Sequence, residues 1–325
     1  MDALDPDSQR NAQPLTLNLL RWYGLAFFLL AVVSALTGFQ IGKVKRAWAK
    51  LENTGPLPIV FVAEEAKPAA DPGEPESTKI VGLAPQQQAE ILLENAIRRR
   101  PESLELIRQN VDSWRGHLQS TDRLFDLVLS ALKSEDLKIR GAALDIDLAA
   151  NNLAKSRASI VRLEGEIRDD PFQRPFALWR LGALGNRGVQ PKLILSRLII
   201  YAHDRNEQTR FWAVEGLAML GSDAAVDPLL DRFAHDPSAR VRQRAACGLA
   251  QSGMLTREQR FAAVPDLLNF LDDDSLDSDT RSWVYGALRM ITGEPLGNDT
   301  HAWQAWWTNH ESPRKPQVPK NLILA

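Results

Sequence analysis

Cys247 is the single cysteine in 325 residues, so neither an internal disulfide framework nor a cysteine-based zinc cluster fits a monomer. Neither sign of charge is in excess: 39 lysines and arginines face 41 aspartates and glutamates. Without a basic surplus, nucleic acid is not expected as a ligand. Tyrosines number three and histidines five, and none of His117, His203, His235, His301 and His310 stands four residues from another, as helical metal pairs require. The strings GxSxG, GxGxxG after a strand and the Walker lysine loop are missing as well. These absences set an expectation: no enzyme, no catalytic residue, no metal, no cofactor and no small-molecule substrate.

Long uncharged runs are scarce too, and the exception is residues 22–42, WYGLAFFLLAVVSALTGFQIG. About twenty residues at 1.5 Å rise cross a bilayer's hydrocarbon as a helix. Trp22 and Tyr23 stand at one end, where amphipathic rings favour the interface, and Lys43, Lys45, Arg46 and Lys50 crowd the other. A cleaved signal peptide is the rival, since Val33 and Ala35 put small residues ahead of a cut before Leu36. The basic residues directly after the run, and a leader with three aspartates but only Arg10 and Arg21, favour an uncleaved single-pass anchor. Positive-inside bias then places the C-terminal bulk in the cytoplasm, at the inner membrane of a bacterium. Cleavage or reversed insertion gives a periplasmic scaffold instead.

The chain divides into a polar leader (1–21), a transmembrane helix (22–42), a basic stretch and proline-rich linker (43–85), an N-terminal helical cap (86–119), a repeat region (120–293) and a tryptophan-rich cap helix with tail (294–325). Pro56, Pro58, Pro68, Pro72, Pro75 and Pro85 prevent regular helix in the linker. From Gln86 the string QQQAEILLENAIRRR sets Ile91, Leu92, Ala96 and Ile97 on one helical face.

Internal self-similarity decides the fold class. RPFALWRLGALG, RFWAVEGLAMLG, RQRAACGLAQSG and RSWVYGALRMITG superpose on Leu181, Leu217, Leu249 and Leu288, with RGAALDIDLAANN as an earlier, weaker copy. In each clear copy an arginine, Arg174, Arg210, Arg242 or Arg281, stands seven residues before the leucine, two turns away on the same face. Four before it come Ala177, Ala213, Ala245 and Val284, small enough for helices to approach closely. A second apolar helix precedes each segment, followed by a turn carrying Asp136, Asp170, Asp204, Asp236 or Asp274. The unit recurs at roughly thirty to forty residues, a solenoid period.

This unit resembles the HEAT repeat of the short bacterial type, the PBS-lyase HEAT-like group. The resemblance implies an all-α fold: a right-handed solenoid of about five antiparallel helix pairs. It also implies a ladder in which the turn aspartates Asp170, Asp204 and Asp236 meet the arginines Arg174, Arg210 and Arg242. Bilin lyases share the repeat's name, but a fold does not carry chemistry with it. Iron-dependent hydroxylases on such repeats carry several His-Glu dipeptides, whereas this chain has one, His310-Glu311.

Two surface features remain. Phe176, Trp212, Arg244 and Trp283 form a column five residues before the shared leucines, either a partner-binding ridge or packing between repeats. Gly293 stops one helix, Asn298 or Asp299 caps the next, and Trp303, Trp306 and Trp307 share a face that closes the open end of the array. The expected function is a membrane-tethered scaffold for an unidentified protein partner, with a lyase- or hydroxylase-type enzyme or accessory subunit as the alternative.

Overall fold

The computed structural model describes residues 80–310. The expected transmembrane segment at 22–42, the leader, nearly all of the linker and the tail after His310 lie outside the described residues. Among the described residues no helix is long and apolar enough to cross a membrane, and no strand occurs. Helices follow in pairs: α1 (Pro85–Ile97) with α2 (Ser103–Trp114), α3 (Asp122–Leu132) with α4 (Leu137–Ala150), and α5 (Arg157–Asp169) with α6 (Arg174–Asn186). Then come α7 (Pro191–Ala202) with α8 (Glu207–Leu220), and α9 (Val226–His235) with α10 (Ala239–Ala250). A short α11 (Arg257–Phe261), α12 (Val264–Leu271), α13 (Ser278–Thr292) and α14 (Thr300–Asn309) complete the order. Thr121, Asp136, Asn206, Asp277 and Asp299 each accept a backbone N–H two or three residues on, which fixes five of the helix starts.

The second helices α6, α8, α10 and α13 stack side by side. The reason lies in the small-residue column: Ala177, Ala213, Ala245 and Val284 are fully buried, and their short side chains let the backbones close in. Closest are α6 and α8, where a Cβ added to Gly182 would sit 2.1 Å from the Gly216 carbonyl oxygen. Gly221 ends α8 with φ of 59°, and the turn after α10 joins the stack when Met254 N–H donates to the Ala218 carbonyl at 2.8 Å.

Each helix-leading arginine donates back to a carbonyl of its own preceding turn or helix end. Arg140 reaches Ser134, Arg174 reaches Ile167 at 2.7 Å, Arg210 reaches Asp204 at 3.0 Å, Arg242 reaches Asp236 at 2.8 Å and Arg281 reaches Asp273 at 3.0 Å. Those carbonyls lie in the last turn of a helix or just past its end, and a guanidinium there both satisfies them and meets the negative end of the helix dipole.

The earliest copy departs from the series. Residues 80–149 form a cluster of their own, built on Leu92, Leu93, Ile107, Trp114, Leu124 and Ile139. Within it α1 lies along α3, with Glu90 and Glu94 of one facing Arg123 of the other at 3.2 and 3.3 Å. The expected cap at 86–119 is therefore a helix pair stacked on the next pair, α3 and α4. The break in the array falls after α4: Gly141 lies against the Arg187 guanidinium, Asp145 pairs with Arg187 at 3.4 Å and Asp147 with Arg180 at 2.9 Å. The start of α4 thus meets the end of α6, so the two run in opposite directions, whereas α6 and α8 run in the same one.

At the other end, Gly293 closes α13 with φ of 79° and Asp299 caps α14. Trp303 is fully buried and donates from Nε1 to the Gly297 carbonyl at 2.9 Å. Trp306 and Trp307 lie half-buried against Phe261, with ring centroids 6.5 and 6.0 Å away, and α14 packs on α12.

Two glycine substitutions test the close stack. Gly182→Ala drives a methyl into the Gly216 backbone and is expected to destabilise by about 1–3 kcal/mol or more. Gly286→Ala, in α13 with nothing within 4 Å, is expected to stabilise by about 0.4–1 kcal/mol. Urea midpoints with unchanged slopes read both.

Candidate partner-binding site

Three kinds of position on the repeats can carry recognition: the arginine–aspartate ladder, the aromatic column and the surface of the first helices. The ladder is formed at two rungs. Arg210 donates from Nε and Nη2 to both oxygens of Asp236, at 2.8 and 3.1 Å, and Arg232 approaches the same carboxylate at 3.5 Å. Asp236 is 1 % exposed, so two guanidiniums and the Ser238 N–H replace its lost hydration. Arg242 reaches forward to Asp277 and to the Thr280 hydroxyl. Asp274 does not serve there; the long turn brings Asp277, the cap of α13, to the rung instead. Asp170 and Asp204 spend an oxygen on their own turns, accepting from Phe172 N–H at 2.8 Å and Asn206 N–H at 2.7 Å.

The aromatic column serves packing at its centre. Trp212 is 2 % exposed and its ring lies 6.2 Å from Phe176 and 5.6 Å from Phe211, so its indole fills the space between α6 and α8. Phe176 is half-buried under the Arg180 guanidinium, Arg244 pairs with the buried Glu215, and Trp283 is half-buried on α13. The column is not a continuous exposed ridge.

Where the Arg174–Asp204 rung would stand, a cleft of about 420 Å³ opens between α5 and α7. Arg174 and Asp204 both line it without bonding to one another among the described residues. Arg197 pairs with Glu164 at 2.9 Å, and Arg168 forks onto Asp169 at 3.0 Å. Tyr201 sits among these groups; burial, then the Glu164 carboxylate, pushes its phenol above the ordinary range against the pull of three guanidiniums. It therefore stays a neutral hydroxyl able to donate and accept. Ile200, one of the residues lining the cleft, is 61 % exposed, and Val161 on α5 and Phe172 on the turn after it are exposed to 61 % and 59 %. Large apolar side chains left in water mark interaction sites.

Residues 168–250 match a family model described as HEAT repeats. No curated protein matches the chain. The matched HEAT repeats run from the end of α5 through α10 and so contain the close stack, the Asp236 rung and most of the cleft. Modules of this kind commonly mediate protein–protein interaction.

The column in the sequence did not lead to the cleft, because Glu164, Arg168, Arg197, Ile200 and Tyr201 lie on first helices rather than on the arginine-led ones. A signal was present. PKLILSRLIIYA in α7 has more aliphatic residues than one stripe uses: Ile194, Leu198 and Ala202 are buried, and Ile200 is left over.

Removing the Asp236 carboxylate strands the buried Arg210 guanidinium without its counter-ion, while Arg232 keeps Asp231. Asp236→Ala is expected to cost about 3–5 kcal/mol in a chemical denaturation experiment, far more than an exposed control such as Asp227→Ala, held within about 0.5 kcal/mol.

Proposed function

We propose that the protein is a non-catalytic scaffold, tethered to a bacterial-type inner membrane through residues 22–42, whose HEAT repeats bind another protein at the cleft between α5 and α7. The cleft carries the reading. A helix array normally covers its first helices' apolar residues, yet here Ile200 stays in water beside a polar floor of arginine, tyrosine and aspartate, and Val161 and Phe172 are exposed on α5 and on the turn after it. Apolar contacts supply affinity, and Arg174, Tyr201 and Asp204 fix orientation, the division of labour usual in interfaces. Tethering adds to this by confining encounters to the membrane plane, which raises effective concentration without new contacts.

Crosslinking in native membranes followed by co-purification names the partner. Ile200→Asp is expected to weaken its capture about tenfold or more while leaving thermal stability unchanged, since the side chain is mostly exposed. Undiminished capture by Ile200→Asp moves the site elsewhere on the array.

The uncharged run at 22–42, with basic residues crowding its far side, supports a cytoplasmic HEAT-repeat region. A fluorescent protein fused at the C-terminus is expected to glow, and alkaline phosphatase at the same place to remain inactive; the reverse pattern puts the scaffold in the periplasm.

A further inference from the structure

Two arginines far apart in the chain converge on one loop. Arg140, near the start of α4, is 6 % exposed and donates from Nη1 to the Gly253 carbonyl at 2.5 Å. Arg260, half-buried on α11, donates from Nη1 to the Ala250 carbonyl at 2.9 Å and from Nη2 to the Gln251 carbonyl at 3.2 Å. All three acceptors lie at the end of α10 and in the turn after it, where the helix's partial negative charge gathers.

Carbonyl dipoles are not counter-ions. Among the described residues neither guanidinium forms an ion pair with a carboxylate, and Glu135, on the turn before α4, offsets Arg140 only through space. Burial first, and the Arg140 charge second, push the Arg260 guanidinium down to about 10. Two further polar atoms of the loop and its neighbour are buried with no partner among the described residues, the Ser252 Oγ between the accepting carbonyls and the Arg260 Nε. Buried cations lacking a counter-charge and buried donors lacking an acceptor are both expensive, and an anion with several acceptor oxygens relieves both.

We propose that this junction binds a small oxyanion of the phosphate or sulfate class, held by the guanidinium N–H groups of Arg140 and Arg260 that the carbonyls leave over and by the Ser252 hydroxyl. Planar guanidiniums suit such ligands because their forked donors match two oxygens at once. The half-buried Arg260 gives the approach from solvent. Since Arg140 belongs to the first helical cluster and Arg260 to the far end of the array, the bound oxyanion cross-links the two. The inference is independent of the cleft and of the partner it takes.

Orthophosphate titrated into the full-length protein, against potassium chloride at equal ionic strength, tests it by calorimetry and by thermal melting. The expected result is saturable binding with a rise in Tm that chloride does not reproduce. Arg260→Gln is expected to weaken the phosphate dissociation constant about tenfold, and the milder Ser252→Ala about threefold, with Arg257→Gln on the exposed side of α11 unchanged. A phosphate response no larger than that to chloride overturns the proposal, as does wild-type affinity in both Arg260→Gln and Ser252→Ala. Should Arg260→Gln fail to fold, the wild-type comparison and Ser252→Ala still decide.

Discussion

The contact between the backbones of α6 and α8 sets the geometry of the described array. Helices this close cannot tolerate even a methyl at Gly182, and the approach fixes where every neighbouring group falls. It brings the ends of α6 and α8 together, so that Asn186 Nδ2 reaches the Leu220 carbonyl at 3.1 Å, and it squeezes Trp212 into the layer beside Phe176. The first helices do not follow the second ones inward. While α6 and α8 touch, α5 and α7 stand apart with the cleft between them, and the Arg174–Asp204 rung stays open for the same reason. A tight inner layer and a splayed outer one are two aspects of one packing decision.

The repeats were legible in the sequence because each helix pair must bury one stripe, and the stripe recurs on a shared leucine flanked by a small residue and an arginine. Helix ends were legible too, since Gly293 and Asp299 stop and start helices by backbone geometry that few residues supply. The break after α4 was harder to see. RGAALDIDLAANN has the leucine and an arginine, so it reads as a weak copy, yet Asp147 stands where α8 and α10 have Gly216 and Gly248. In α8 and α10 that position lies against the preceding helix, and α6 has Arg180 there, too large a side chain for α4 to approach as closely as α6 approaches α8. Asp147 instead meets Arg180 and Asp145 meets Arg187, from a helix running the other way, while Lys155 of the turn after α4 also pairs with Asp145.

Site residues were less legible than the fold, and the difference is physical. Aromatics and arginines dominate both interfaces and the seams between repeats, so residue type alone cannot separate Trp212, which is buried, from Ile200, which is not. The turn aspartates show the same ambiguity: Asp236 is a buried counter-ion, Asp170 a turn cap and Asp204 a lining group, although all three occupy one column of the repeat. What distinguishes them is the spacing of the elements around them, which no single repeat encodes.

The Arg140 bond to the Gly253 carbonyl joins residues 113 positions apart. In an array whose members touch only their neighbours, the ends fray and melting spreads unit by unit. Here the turn after α10 cannot open without uncovering a guanidinium that belongs to α4, and α4 cannot leave without orphaning a carbonyl of that turn. Such a tie makes loss of order at one end felt at the other. It also raises the sequence separation that folding must bridge, so the last repeats have to be in place before the first cluster is fully secured.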